Sequence, residues 1–261
     1  MRFAANLSTM FPNLPMPDRY SAAAGLGFKA VECQFVNLTE NTPDELKEAM
    51  KNAGIEHHVL LNSWPGDNNE FGFAALPGGE EPFFDSISKV LPYTFSLGCR
   101  KLHILSGLVQ DDCKNTKFLE DMYVGRMQVA AEVLEDHAIV GLIEPLSPRV
   151  KNNYFLSSFE KAIELLEKIQ RPNIKLLLDI FHLQEIEESM ENLEKYYKYA
   201  GHIQVSQSPD RREPGAQGRI DYEDVFERLK KLGHNDYIGL EYYPQNSVEE
   251  SLNWLKKFGS L

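Results

Sequence analysis

Residues 140–182 read VGLIEPLSPRVKNNYFLSSFEKAIELLEKIQRPNIKLLLDIFH. Two short apolar runs, Val140-Gly141-Leu142-Ile143 and Leu176-Leu177-Leu178, each stop at an acid, Glu144 and Asp179. Between them Phe159, Ile163, Leu166 and Ile169 recur at helical spacing behind Ser157-Ser158-Phe159-Glu160, which has the form of a capping box. Strand, amphipathic helix, strand is the unit of a parallel sheet covered by helices. The same phrase recurs along the chain: Phe3-Ala4-Ala5 ends at Asn6, Ala30-Val31 at Glu32, Val59-Leu60-Leu61 at Asn62, Lys101-Leu102 at His103, Ile203 at Gln204, and Ile238-Gly239-Leu240 at Glu241. Helix signals stand between them. Thr42-Pro43-Asp44-Glu45 is a capping box with Gly54 where the helix should stop, Ser247-Val248-Glu249-Glu250 has the same form, and Asp221 can cap a helix ending near Gly233. Eight such units in 261 residues predict an α/β fold, a single (β/α)8 TIM barrel spanning 1–261 as one domain.

Composition narrows the function. With 27 basic against 39 acidic residues the formal charge is −12 and the isoelectric point about 5.1, so a polyanion such as nucleic acid is repelled. A 43% hydrophobic, 25% charged chain is that of an ordinary globular protein. No apolar stretch reaches membrane-spanning length, and Met1 to Pro15 lack the apolar centre of a signal peptide. Three cysteines (Cys33, Cys99 and Cys113) in no C-x-x-C pair suit a reducing compartment, so a cytoplasmic location is expected. Gly259-Ser260-Leu261 lacks the basic middle residue of a peroxisomal tripeptide. Neither dinucleotide nor P-loop glycine motifs occur, which leaves a nucleotide cofactor without support.

In such a barrel the residue ending each strand projects into one shared mouth at the C-terminal face. Glu144, Asp179, Gln204 and Glu241 then converge from strands five to eight. Three carboxylates and an amide carbonyl are hard oxygen donors that suit Mg²⁺ or Mn²⁺, whereas without a cation the acids would repel one another and take up protons.

The ordered segments Phe3-Ala4-Ala5-Asn6-Leu7-Ser8, Gly141 to Leu146, Asp179-Ile180-Phe181-His182, Gly201-His202-Ile203-Gln204-Val205, Pro209 to Gly215 and Gly239-Leu240-Glu241-Tyr242 resemble the hydroxypyruvate isomerase family of the xylose isomerase-like TIM barrels. The resemblance spans the whole chain. It implies a divalent cation held by Glu144, Asp179, Gln204 and Glu241, with Glu144 and Glu241 as the catalytic acid–base pair and His182 and Arg211 touching the substrate. The chemistry agrees: isomerising a 2-oxo-3-hydroxy acid moves one proton between adjacent carbons through an enediolate, with no redox cofactor. Hydroxypyruvate and tartronate semialdehyde are the smallest such pair. The expected partner is thus a small hydroxy-oxo acid, not nucleic acid or a membrane.

Other readings use the same scaffold. A 2-oxo-tetronate isomerase needs one more carbon, and a ketose 3-epimerase, which usually has a histidine ligand where Gln204 stands, acts on a longer neutral sugar. An apurinic endonuclease of this barrel type needs a trinuclear, histidine-rich zinc cluster, which seven scattered histidines oppose. A barrel without chemistry, serving only to bind, would not need its four strand-end ligands intact. Of the remaining residues, His103 is an outer candidate for the pocket, His202 reads as structural, and Cys33 and His57-His58 read as core or surface. The glycine-rich stretch Pro65 to Pro82 has the composition of a lid.

Overall fold

The computed structural model describes residues 1–68, 70–109 and 116–258. Cys113 and the terminal tripeptide Gly259-Ser260-Leu261 lie outside the described residues. Eight strands close into a barrel in chain order, all neighbours parallel. They are β1 Arg2–Asn6, β2 Ala30–Glu32, β3 His57–Asn62, β4 Lys101–His103, β5 Val140–Ile143, β6 Ile174–Asp179, β7 Ala200–Val205 and β8 Tyr237–Leu240. All eight sequence phrases are strands.

Several helices start where a side chain satisfies orphan backbone N–H groups. Thr42 and Glu45 form a reciprocal capping box for Pro43–Ala53, and Gly54 ends that helix at φ 76°. Asp221 accepts from Glu223 and Asp224 to start Tyr222–Lys231, and Ser247 accepts from Glu250. The Ser157 reading shifts by one residue: Ser158 is the cap of Phe159–Ile169, and Lys161 stands where a box would need its glutamate. That helix buries Phe159, Ala162, Ile163, Leu165, Leu166 and Ile169 on one face.

The period of two along a strand sorts the barrel into an outer and an inner surface. Phe3, Ala5, Val31, Leu61, Leu102, Ile143, Leu176, Leu178, Ile203 and Ile238 face outward and join the main core beneath the helices. The alternate residues face the lumen. At the mouth stand Asn6, Glu32, Asn62, His103, Glu144, Asp179, Gln204 and Glu241; one layer below are Ala4, Ala30, Leu60, Lys101, Leu142, Leu177, His202 and Gly239. Leu60, Leu142 and Leu177 form their own apolar cluster, so the lower layer is part hydrocarbon and part polar.

The part of the stretch from Pro65 to Pro82 around Phe71 to Leu76 is packed against the barrel. Gly72 bridges to Ser106, Gly107 N–H donates to Phe71, and Arg126 Nη1 donates to the carbonyls of Phe73, Ala74 and Leu76. Phe73, Ala74 and Ala75 are buried. Gly72 must be glycine, because at φ 96° a Cβ would sit 2.2 Å from the carbonyl oxygen of Leu105.

Candidate active site

The mouth opens into a cavity of about 400 Å³ whose wall includes Asn6, Glu32, Asn62, His103, Glu144, Gln204 and Glu241 from the strand ends. The loops add Phe71, Leu105, Lys151, His182, Arg211 and Tyr243. Phe71 and Arg211 both adopt left-handed backbone, φ 56° and 51°, a strained conformation that persists only where the surroundings hold it.

Asp179 is fully buried behind this wall. Its Oδ1 accepts from the Phe181 N–H at 2.9 Å, capping the helix Ile180–Glu187, while Oδ2 faces inward. Arg211 joins the acids: Nη2 donates to Asp179 Oδ2 at 2.9 Å and to Glu241 Oε2 at 2.7 Å, with the guanidinium 4.6 Å over the Phe181 ring. Glu144 stands across from them, with Oε2 3.4 Å from His103 Nδ1 and Oε1 without any protein partner. Burial, reinforced by Asp179 and Glu241, holds the Glu144 carboxyl well above the usual range. Burial pushes Glu241 up to about 7 and also raises Asp179, in both cases against the pull of Arg211. Each acid resists ionising while the others are charged.

Single ligand atoms of Glu144, Asp179 and His182 lie within 4.8 Å of one another, so by distance alone His182 competes with Gln204 as a cation ligand. Its hydrogen bonding argues otherwise. Ser147 N–H donates to His182 Nδ1 at 2.9 Å, and burial keeps the ring neutral, so the hydrogen is on Nε2. An Nε2–H is a donor and offers no lone pair. The approach of Arg211 Nη1 to this nitrogen at 3.3 Å is then a contact between two donors, and Arg211 Nε also lacks an acceptor. Both side chains line the cavity and both carry an N–H group without a hydrogen-bond acceptor among the described residues.

Gln204 belongs to a different set of contacts. Its Nε2 donates to Glu32 Oε1 at 2.7 Å, and Asn6 Nδ2 donates to the same oxygen at 2.9 Å. His202, one layer down on the same face of β7, reaches Glu32 Oε2 at 2.8 Å. These bonds hold the fully buried Glu32 carboxyl below its ordinary value although burial alone would raise it. Glu32 and Asn6 share the strand-end signal of the predicted ligands, yet only the closure of β1 and β2 against β7 and β8 reveals them as neighbours of the site. His103 likewise proves to be Glu144's neighbour.

The donor set fits a hard divalent cation. Glu144 Oε1 is an orphaned buried acceptor, and the facing oxygens of Asp179 and Glu241 converge on one cationic nitrogen; with an amide at Gln204 the donors are all oxygen. Residues 20–258 match the family described as xylose isomerase-like TIM barrel. A Danio rerio protein named putative hydroxypyruvate isomerase is 38% identical, covering 99% of this chain and 95% of its own. The 2-oxo-tetronate isomerase of Haemophilus influenzae is 34% identical, covering 98% and 99%. A crystal structure described as AP endonuclease, family 2, from Brucella melitensis is 34% identical and superposes with a TM-score of 0.92 over 99% of both chains. The chain is an enzyme of the hydroxypyruvate isomerase family, within the xylose isomerase-like TIM barrels.

Proposed function

We propose that this enzyme interconverts hydroxypyruvate and tartronate semialdehyde, with a divalent cation, Mg²⁺ or Mn²⁺, held by Glu144, Asp179, Gln204 and Glu241. The observation that carries this reading is the convergence of two acids, Asp179 and Glu241, on the single Nη2 of Arg211, with Glu144 across from them, its buried Oε1 without a partner among the described residues. Bound there, a cation supplies Lewis acidity for the negative charge that develops on the two substrate oxygens.

The protein's own groups carry the proton. One of Glu144 and Glu241 takes the proton from C3 as the enediolate forms, the other returns a proton to C2, and the hydroxyl proton passes from the oxygen on C3 to the oxygen on C2. Atoms balance and no electron leaves the substrate. Positioned carboxyl groups exchange protons with carbon as general base and general acid. Arg211 and His182 hold the substrate carboxylate and an oxygen through their unmatched N–H groups. Pro65, Phe71 and Leu105 supply apolar surface to the cavity wall.

A four-carbon 2-oxo-tetronate is the second reading, favoured by a cavity of about 400 Å³ that admits another hydroxymethylene group. A nucleic-acid substrate is opposed by the charge of −12 and the acidic lining of the cavity. The test is incubation of Mn²⁺- or Mg²⁺-loaded protein with hydroxypyruvate, a 2-oxo-tetronate and a ketohexose, each followed by proton NMR in D₂O. Exchange of a carbon-bound proton and product formation from hydroxypyruvate support the reading; turnover of the ketohexose alone overturns it.

A further inference from the structure

A line of polar side chains runs through the barrel lumen up to its mouth. Asp236 accepts from Lys101 Nζ at 2.6 Å, Lys101 Nζ lies 3.3 Å from His202 Nδ1, and His202 Nε2 lies 2.8 Å from Glu32 Oε2. Glu32 Oε1 then takes Gln204 Nε2 and Asn6 Nδ2. The sense of every bond is forced. Lysine has only donors, so His202 Nδ1 accepts and Nε2–H donates to Glu32. The Asn6 Oδ1 is occupied by the N–H groups of Ser8 and Thr9, so its NH₂ turns to Glu32.

Glu32 lies in the fold as a fitted group. It is fully buried, and a Cβ on Gly239 would lie 2.2 Å from its Oε2 and 2.5 Å from its Cδ. β8 therefore keeps a position free of side chain where the carboxylate sits. Burying an anion is costly unless donors surround it, and a leucine there would serve the core alone at less cost. Retaining an acid at this place has a different use. A carboxylate can only accept, so it captures the NH₂ corner of the Gln204 amide and turns the carbonyl corner the other way.

We infer that Glu32, held by His202 and Lys101, is the positioning residue that orients the Gln204 amide so that its carbonyl oxygen faces the acid cluster. This rests on the reading of Gln204 as a cation ligand. An unheld amide presents NH₂ or C=O, and an NH₂ corner repels a cation. Outer partners that orient a ligand typically matter 10- to 100-fold in metal affinity.

The test is a double-mutant cycle on Mn²⁺ affinity, measured by electron paramagnetic resonance on chelator-stripped whole protein, without turnover. Glu32→Gln should weaken Mn²⁺ binding about 10- to 100-fold. In a Gln204→Glu background, where both corners of residue 204 are oxygen, Glu32→Gln should cost nothing or improve binding. An equal loss in both backgrounds makes Glu32 a stability residue and overturns the inference. If Asp179→Asn and Gln204→Ala leave Mn²⁺ affinity unchanged, the cation reading fails, and the inference with it. If Glu32→Gln affects affinity as described only when Gln204 is present, both stand. Should Glu32→Gln not fold, the wild-type protein still decides: with ¹⁵N-glutamine labelling, the Gln204 NH₂ protons, assigned by their loss in Gln204→Ala, should exchange far more slowly than surface amides. Exchange at the rate of a solvated glutamine overturns the inference.

Discussion

The backbone N–H of Ser147 donates to Nδ1 of His182 at 2.9 Å. One hydrogen bond from the loop after β5 thereby decides what a side chain after β6 can do: His182 presents Nε2–H, a donor, to the cavity. The carboxylates around it remain the groups suited to a cation, and His182 remains a hydrogen-bond donor on the cavity wall.

His182→Asn keeps an oxygen for the Ser147 N–H but falls short of the cavity. We expect kcat/KM to fall about 10- to 100-fold, the range for losing a hydrogen bond to a charged or strongly polarised group. Mn²⁺ affinity should change little, because a neutral His182 presenting Nε2–H is no ligand and stands 3.7 Å from the Asp179 carboxylate, too far to hold it by a hydrogen bond. A parallel loss of Mn²⁺ binding would make His182 a ligand.

Glu144→Gln and Glu241→Gln each retain an oxygen but cannot take a carbon-bound proton at neutral pH. Loss of general acid–base help costs about 10²–10⁴ in rate, so kcat should drop by that amount while Mn²⁺ occupancy drops much less. Asp179→Asn should show the reverse, weaker cation affinity partly recovered by excess Mn²⁺. Rates and occupancy measured on the same preparations separate the two.

Arg211 neutralises Asp179 and Glu241 and also lines the cavity. Arg211→Lys should raise KM for hydroxypyruvate, and Arg211→Ala should raise it further. In chelator, Arg211→Ala should also lower the melting temperature, increasingly from pH 6 to pH 8 as the two acids ionise without a partner. Removing one member of a buried pair typically costs about 3–5 kcal/mol. Excess Mn²⁺ should recover most of that loss, as thermal unfolding with and without the ion would show.

His58 is buried beside the Cys33 thiol, its Nδ1 unpartnered, and burial lowers its pKa from 6.5 to about 4. Folded, it stays neutral where the unfolded chain binds a proton. Stability is therefore complete above about pH 6.5 and falls as pH drops toward 4, by about 1.4 kcal/mol per unit for this one group. Denaturant unfolding at pH 7, 6 and 5 should show that slope, and His58→Gln should flatten it by that amount. An unchanged slope would assign acid lability to other groups, such as His103, which burial depresses to about 3.

The linear order of residues by itself determined the barrel, because alternating strand and helix periodicities are local and each strand ends on a polar residue that the sequence prints. It also placed Glu144, Asp179, Gln204 and Glu241 at strand ends, and all four stand in the ring at the mouth. It did not determine who touches whom across the lumen. Glu32 meets Gln204 over 172 residues and His202 over 170, contacts that exist only after β1 closes on β8. Nor could composition show that the stretch from Pro65 to Pro82 is tied at Phe71, Gly72 and Phe73 to Gly107, Ser106 and the Arg126 side chain, which come from distant segments. Spacing along the chain reports the direction a side chain leaves its own strand; hydrogen-bond sense, charge pairing and room for a buried carboxylate arise between strands, and only the closed barrel sets them.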